Sequence, residues 1–203
     1  MNFIILGFIT GLSLILALGA QNIFVIEQGL KKKHIFLVCI VCSISDFILI
    51  FLGIFLFHYF SQFWNTKIEV ILNILLIIFL LHFIYKKKQD LKDKDKLIIN
   101  KTNTKDTNLN IFFKTLGFTY LNPHVYSDTV FFLGNFSKNF LLIQKLYFGI
   151  GATISSFIFF FIIGYLSKFL SKYLKNKKIW KIINSFIIAF MVFLIFYILN
   201  GMT

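Results

Sequence analysis

Six long apolar runs divide the chain, with short polar stretches between them. The runs cover residues 2–26, 34–57, 68–85, 111–134, 143–166 and 179–200. Each contains about 18 to 25 residues, enough to cross a hydrocarbon core of roughly 30 Å at the helical rise of ~1.5 Å per residue. The pattern predicts an all-α integral membrane protein with six transmembrane helices.

The stretch between the third and fourth runs is the one segment with the composition of a soluble loop. Residues 86–110 are rich in Lys, Asp, Asn and Thr, which is typical of a flexible connection. We therefore expect a single membrane domain over residues 1–203, with three-span halves at 1–85 and 111–203. Two such halves have opposite orientations in the bilayer, so the sequence predicts two inverted three-helix repeats.

The first apolar run is expected to remain in the protein as a transmembrane helix. No Lys or Arg precedes it, and its apolar character continues past Ala20 to Ile26. Both features argue against a cleaved signal peptide, which has a basic start and a short apolar core.

Composition excludes an ordinary soluble domain. The mean hydropathy is +0.83, 58% of the residues are hydrophobic, and 29 of the 203 are Phe. Soluble domains are far more polar than this. The chain is therefore expected to lie in a bilayer as a multi-pass protein.

The net charge of +13 could suggest a nucleic-acid partner, but the placement of the charges argues against one. All 21 basic residues are Lys, and 18 of them fall in three clusters, at 31–33, 86–114 and 168–181. These clusters follow the first, third and fifth runs. By the positive-inside rule they face the cytoplasm, so both termini are predicted to be periplasmic. The clusters also attract anionic lipids of the bilayer.

Asp46 and Asp128 are the two carboxylates that lie inside long apolar runs. The sequence places the other six acidic residues in the 86–110 loop or near the ends of spans, with Glu27 one helical turn before Lys31. An ionisable group in hydrocarbon is costly, so it is retained where it serves an ion or substrate path. We expect Asp46 and Asp128 to form the functional centre.

Two polar motifs interrupt the first and fourth runs near the middle of the membrane. Gln21 and Asn22 lie in the first run. Asn122, Pro123 and His124 lie in the fourth, where the proline removes a backbone hydrogen bond and keeps the preceding residue out of helical geometry. Unpaired backbone groups at that depth are tolerated only against protein or a water-filled cavity, so a binding site is expected there.

Cys39 and Cys42 form a C-x-x-C pair inside the second run. In soluble proteins this spacing is typical of a redox or metal site. No nearby histidine or second cysteine pair accompanies it, so small apolar packing residues are the favoured interpretation. The sequence therefore predicts no metal site, no other cofactor and no catalytic residues.

Four motifs occur together along the chain. They are Gly19-Ala20-Gln21-Asn22, Gln28-Gly29-Leu30, Cys42-Ser43-Ile44-Ser45-Asp46 and Leu121-Asn122-Pro123-His124-Val125-Tyr126-Ser127-Asp128-Thr129. In this order and spacing they resemble the L-lysine/L-arginine exporter family (LysE/ArgO type) over nearly the whole chain. Three positions depart from the family pattern, at Ala20, Tyr120 and Ser127. None of them is a carboxylate, so they bear on substrate preference more than on mechanism.

The resemblance implies a transporter and not an enzyme. It implies export of L-lysine or L-arginine across the bacterial cytoplasmic (inner) membrane by a secondary transporter, with one transport domain over the whole chain. No G-x-x-x-x-G-K-[ST] motif for nucleotide binding occurs in the sequence. The candidate substrate-binding residues are Gln21, Asn22, Asp46, Asn122, Pro123, His124 and Asp128.

A basic amino acid presents an α-carboxylate, an α-ammonium and a side-chain cation. Helix starts and side-chain amides can bind the α-carboxylate, and Asp46 or Asp128 can neutralise a cationic group. An unpaired carboxylate in a low-dielectric site tends to take up a proton, so proton and cargo compete, which suffices for antiport. We expect Asp46 to carry the proton, because Ser43 and Ser45 lie near it, and Asp128 to contact the cargo.

Several alternatives remain open at this level. A related exporter of neutral amino acids, of the threonine or homoserine type, could use one carboxylate for the α-ammonium and the other for the proton. An exporter of another small cation is a further alternative, and a membrane thiol-redox enzyme would depend on Cys39 and Cys42. The sequence does not decide between lysine and arginine, the identity of the coupling ion, or the oligomeric state, a homo-oligomer included.

Overall fold

The computed structural model describes residues 2–16, 19–63, 66–92, 107–173 and 177–202, and in these ranges every regular element is helical. The α-helices are α1 (Phe3–Ile15), α2 (Ala20–Lys31), α3 (Ile35–Phe63), α4 (Thr66–Lys92), α5 (Asn108–Tyr120), α6 (Pro123–Tyr126), α7 (Leu133–Ser137), α8 (Leu142–Leu170) and α9 (Lys177–Met202). A π-helical turn (Ser127–Phe132) joins α6 to α7, and a 3-10 turn (Ser171–Tyr173) follows α8.

The long helices confirm the prediction of an all-α membrane protein with several spans. In the described ranges α3, α4, α8 and α9 are each long and apolar enough to cross a membrane. The bent pair α1 and α2 makes a fifth span if it is counted as one. The predicted run at 111–134 is divided into shorter helical pieces, so the structure provides four or five such spans where the sequence predicts six.

The predicted loop at 86–110 is shorter than expected. Helix α4 continues to Lys92, because lysine, glutamine and leucine are good helix formers beyond the apolar span. At the other end, the Thr107 hydroxyl accepts a hydrogen bond from the Asn110 backbone N–H at 3.3 Å and caps α5. Residues 93–106, between these two ends, lie outside the described residues.

The first helix break lies between α1 and α2, whose axes differ by 82°. Gly19 is extended there, with φ −114° and ψ −179°, and α2 starts directly after it. The Asn22 side-chain Nδ2 donates to the Ile15 carbonyl at 3.0 Å. This bond supplies a partner for a carbonyl group that the end of α1 leaves without an intrahelical one.

The second break lies between α5 and α6. Asn122 is extended, with φ −84° and ψ 108°, and its Oδ1 accepts a hydrogen bond from the His124 backbone N–H at 3.1 Å. Pro123 occupies the first position of the new helix, where its missing N–H costs nothing. The predicted interruption is therefore confirmed, and its form is a capped helix start instead of a kink within one helix.

Small residues bring α1 against α8. A methyl group added to Gly7 would overlap the Phe148 carbonyl, and one added to Gly151 would overlap the Ile4 carbonyl. Such close backbone approach is the usual reason for small residues at helix contacts in membranes. Helix α2 also packs on α8, with Gly29 against Gly164. The first broken pair therefore lies along the central helix of the second half of the chain.

An equivalent contact joins the second broken segment to α3. A methyl group on Gly53 would lie 2.6 Å from both the Thr129 carbonyl oxygen and the Val130 Cα. One on Gly134 would lie 2.6 Å from the Gly53 carbonyl oxygen. Because a methyl group does not fit at either glycine, α3 can approach the π-helical turn and the start of α7 to this distance only with glycine at both positions.

Four aromatic rings form a compact group between α2, α4 and α5. Phe24 stacks on Phe118 with 4.7 Å between ring centroids. Phe79 and Phe83 of α4 contact Phe118 edge-on at 4.8 Å and 5.1 Å. Phe24 and Phe118 are almost fully buried. We call these four residues the aromatic cluster.

Candidate functional site

A cavity of about 430 Å³ lies where the two helix breaks meet. Its walls come from α1, α2, α3, α4, the 122–133 segment, α8 and α9. The polar lining residues are Gln21, Asn22, Asp46, Asn122, His124, Asp128, Thr129, Ser155, Ser156 and Tyr197. Apolar walls with a few convergent polar groups are typical of a small-molecule binding site.

The two breaks are in contact across this cavity. A methyl group on Gly19 would lie 3.8 Å from the Asn122 side-chain Nδ2. Gln21 and Asn22 follow Gly19 in the first turn of α2, so the start of that helix borders the cavity. The first N–H groups of a helix have no intrahelical partners and carry a partial positive charge, which favours an anionic group.

Asp46 is the most enclosed carboxylate of the cavity, with 4% of its surface exposed. It lies in the middle of α3, and its Oδ2 accepts a hydrogen bond of 2.8 Å from the Ser156 hydroxyl on α8. Ser43 and Ser45, which the sequence suggests as its neighbours, are also buried. The hydrogen bond that the structure gives to Asp46, however, comes from the other half of the chain.

Asp128 lies on the π-helical turn and is half-buried. Asp46, His124 and Asp128 line the same cavity, so the two carboxylates share one enclosed space. A π-helical turn widens the helix locally and is often found at functional positions. The structure therefore brings both predicted carboxylates into one cavity, with Asp128 the more accessible of the two.

Gln21 places a buried side-chain amide in the wall of the cavity. The residue is 6% exposed, and its Nε2 makes no hydrogen bond of ordinary length with the residues that the structure describes. A buried amide donor left unpaired costs free energy, so such a group commonly marks a place where a ligand or water binds. Gln21 is thus a donor available to a cargo in the cavity.

His124 and Tyr197 form the outer side of the cavity. Their rings lie 5.7 Å apart, and Tyr197 is about half exposed. Tyr197 and Phe193 of α9 line the cavity although no sequence motif singles them out.

Pro123, which the sequence analysis includes among the candidate binding residues, does not line the cavity. It is buried at the start of α6, so its effect is on the backbone conformation at the helix break.

Glu27 is more deeply buried than the sequence pattern indicates. It lies one turn from the end of α2, near a span end as predicted, and its side chain is only 2% exposed, less than that of Asp46. Its Oε1 lies 2.6 Å from the Lys31 ammonium, one turn further along α2, so the predicted spacing does correspond to an ion pair. Glu27 is therefore, after Asp46, a second buried carboxylate in the described part of the chain, and it lies outside the cavity lining.

The two cysteines are buried packing residues with free thiols. Cys39 Sγ donates to the Phe160 carbonyl oxygen at 3.2 Å, and a methyl group on Gly164 would lie 2.7 Å from that sulfur. Within the described residues no group of three or more His, Cys, Asp or Glu side chains is arranged to hold a metal ion.

Comparison with known proteins identifies the family. The family described as LysE type translocator matches residues 12–201. The chain belongs to this family. The match includes both helix breaks and every polar residue of the cavity. A member of a translocator family is a transporter and not an enzyme.

Curated relatives of this translocator carry the name arginine exporter protein ArgO. One from Pectobacterium atrosepticum is 30% identical over 184 residues, covering 89% of this chain and 88% of the relative. Another from Pectobacterium carotovorum is 29% identical over the same shares. One from Salmonella typhimurium is 28% identical over 178 residues, covering 88% of this chain and 84% of the relative. No solved structure matches the chain.

Proposed function

We propose that this translocator exports basic L-amino acids, arginine and lysine, from the cytoplasm. The observation that carries the proposal is the presence of Asp46 and Asp128 in one enclosed cavity of a LysE type translocator. Two carboxylates there match the two cationic groups of a basic amino acid. The names of the curated relatives, which are arginine exporters, support the same cargo.

The cargo is oriented by its three charged groups. The α-carboxylate lies against the first turn of α2 and accepts a hydrogen bond from the buried Gln21 amide, whose Nε2 has no partner of ordinary length among the described residues. The side-chain cation points to Asp128, which is the more accessible carboxylate. The aliphatic part of the cargo lies along Ile50, Leu133 and the apolar side of α9. The third group, the α-ammonium, lies beside Asp46, so each charged group of the cargo has a partner in the cavity.

Asp46 carries the coupling proton in this mechanism. It is enclosed and has one hydroxyl partner, Ser156, so the carboxylate lacks the counterion that a permanent charge in low dielectric requires. Binding of the cationic cargo beside it favours loss of the proton, and release of the cargo favours its return. Exchange of one proton for one cationic amino acid then follows as antiport.

We further propose two inverted repeats of three spans each in the inner membrane, with both termini periplasmic. Each broken segment packs against the long helix of the other half, α1 and α2 on α8, and the 123–137 segment on α3. This reciprocal packing supports a pseudo-two-fold arrangement with the cavity at its centre. The aromatic cluster then closes the cavity on the side of the lysine clusters.

Export is tested in bacterial cells that lack their own basic amino-acid exporters. Cells fed an arginine-containing dipeptide should hold several-fold less free arginine when this protein is made, and an uncoupler should abolish the difference. Lysine and threonine dipeptides are measured in parallel. Lower threonine with unchanged arginine would favour the neutral amino-acid exporter, and efflux that persists without ion gradients would contradict secondary transport.

The orientation is tested by labelling single cysteines in intact cells, in a variant whose two native cysteines are replaced. Because the lysine clusters are predicted to be cytoplasmic, a probe at Asn139 should react with a membrane-impermeant maleimide, and one at Lys94 should not. Permeabilised cells provide the control, in which both positions react. Labelling of Lys94 in intact cells would contradict the proposed orientation.

A further inference from the structure

A row of three aromatic rings forms the outer side of the cavity. His124 lies in the first turn of α6, and Phe193 and Tyr197 lie four residues apart on α9. The ring centroids of His124 and Tyr197 are 5.7 Å apart. Tyr197 stacks on Phe193, with 6.5 Å between centroids and 27° between the ring planes. We call these three residues the aromatic wall.

Much of the aromatic wall is not covered by the rest of the described chain. Phe193 is 61% exposed and Tyr197 is 55% exposed, although both line the cavity. Helix α9 packs through another side, on which Ile187, Met191 and Ile195 are buried. The two rings therefore contribute little to the core, and part of their surface is available to a molecule in the cavity.

Asp128 adjoins the aromatic wall. Helix α6 continues directly into the π-helical turn, and His124 and Asp128 are four residues apart in this segment. Side chains at this spacing lie on the same side of a helical segment, about one turn apart. Both residues line the cavity. A carboxylate that can bind a cation thus lies beside a row of aromatic rings, whose faces attract cations as well.

A carboxylate beside aromatic rings suits a guanidinium better than an ammonium. A guanidinium is planar and carries its N–H donors in that plane, so it can donate to Asp128 and still stack a face on a ring. It is also more weakly hydrated than an ammonium and enters such a site at lower cost. An ammonium has no flat face, so the rings add less to its binding.

We propose that Tyr197 is a specificity-determining residue that makes the cavity prefer arginine to lysine. Its ring stacks on the guanidinium that Asp128 binds, and Phe193 holds the ring in position. The lysine ammonium also reaches Asp128 but gains less from the ring, so lysine is the weaker cargo. This inference rests on the proposed export of basic amino acids.

The test compares KM values for arginine and lysine in proteoliposomes under the same ion gradient. The unmodified protein should have the lower KM for arginine. Tyr197→Leu should raise the KM for arginine about five- to tenfold, the range of a cation–π contact shielded from water, and the KM for lysine by less than about twofold. Tyr197→Phe keeps the ring and should retain both KM values.

The set of variants separates cation stacking from anchoring of α9 at the membrane surface. Tyrosine near the end of a span commonly anchors the helix through its hydroxyl group. If Tyr197 were only an anchor, the Phe variant would behave as the Leu variant does, and KM would change equally for both amino acids. Phe196→Leu is the matched control, because Phe196 is 62% exposed on α9 but does not line the cavity. It should leave both KM values unchanged.

Equal KM values for arginine and lysine in the unmodified protein would overturn the inference. So would a Tyr197→Leu variant that raises both KM values to a similar extent or leaves the arginine value unchanged. Should this variant fail to insert, Phe193→Leu decides the question. Loss of the supporting ring should raise the KM for arginine about two- to threefold and leave that for lysine unchanged, and equal changes would contradict the role of the wall.

Failure of the proposed function gives a different result from failure of this inference. The unmodified protein would then transport neither arginine nor lysine. Transport of both amino acids without a preference that depends on the Tyr197 ring would instead retain the proposed function and reject the specificity role.

Discussion

Asp128→Asn should raise the KM for arginine about 10- to 100-fold, which corresponds to the loss of one hydrogen bond to a charged group. Asparagine keeps the shape of the side chain, and neutralising an intramembrane charge does not hinder insertion. Binding of a neutral amino acid should be affected much less, because the lost interaction involves the side-chain cation. The measurement is uptake kinetics in proteoliposomes with arginine and threonine.

Asp46→Asn should give a different defect. Net efflux driven by a pH gradient should be abolished, because the residue that carries the proton is lost. Exchange of labelled for unlabelled arginine at equal concentrations should continue, since the cargo still binds. The amide oxygen of the substituted side chain can still accept the hydrogen bond from Ser156, so the contact between α3 and α8 is retained.

The two variants together test the division of roles. If Asp46→Asn raises KM and Asp128→Asn abolishes coupling, the roles are reversed, while the pair remains the functional centre. Ser156→Ala is a useful control, because it removes the hydrogen bond to Asp46 without removing a charge and should cause a smaller loss than Asp46→Asn. Full gradient-driven efflux by the well-inserted double Asn variant would contradict a functional role for either carboxylate.

Gly53→Ala should destabilise the protein by about 1–3 kcal/mol, the usual cost of adding a methyl group where there is no space. The new carbon would lie 2.6 Å from backbone atoms of Thr129 and Val130, and backbone cannot move aside as the end of a side chain can. Separation of α3 from the π-helical turn would also displace Asp128 from Asp46. We expect a lower melting temperature in detergent and a higher KM for arginine.

Gly149→Ala is the matched control for this substitution. Its added methyl group would meet Ile54 Cδ1 and the Phe51 ring edge at 3.1 Å, and both are the ends of flexible side chains. The control should therefore melt close to the unmodified protein and keep its KM. Equal melting temperatures for the Gly53 and Gly149 variants would show that the close contact between α3 and the π-helical turn is not required.

The sequence predicts the long helices and several of the residues that line the cavity. The apolar run at 143–166 predicts α8 to within a few residues, because its length is set by the bilayer. Asp46 and Asp128 can be identified because an ionisable side chain inside the membrane is costly and is therefore usually functional. Asn122 and Pro123 predict the second break, because proline excludes a helical conformation before it.

Other features of the site depend on packing and have no local signal. The hydrogen bond from Ser156 to Asp46 joins residues that are 110 positions apart, and serine has many other uses in membrane helices. The burial of Glu27 follows from the start of α2 at Ala20, which places the residue in the second turn of a fully packed helix. The π-helical turn that carries Asp128 is likewise not evident from its residues.

The long sequence separation between Asp46 and Ser156 has a consequence for biosynthesis. At a translation rate of roughly 5–20 residues per second, the ribosome needs about 5–20 s to add the 110 residues between them. During that interval α3 has left the ribosome, but the serine that will bond its carboxylate has not been made. Asp46 therefore has to enter the membrane protonated or wait near the lipid–water interface. A nascent chain stopped before α8 carries this carboxylate without its hydroxyl partner.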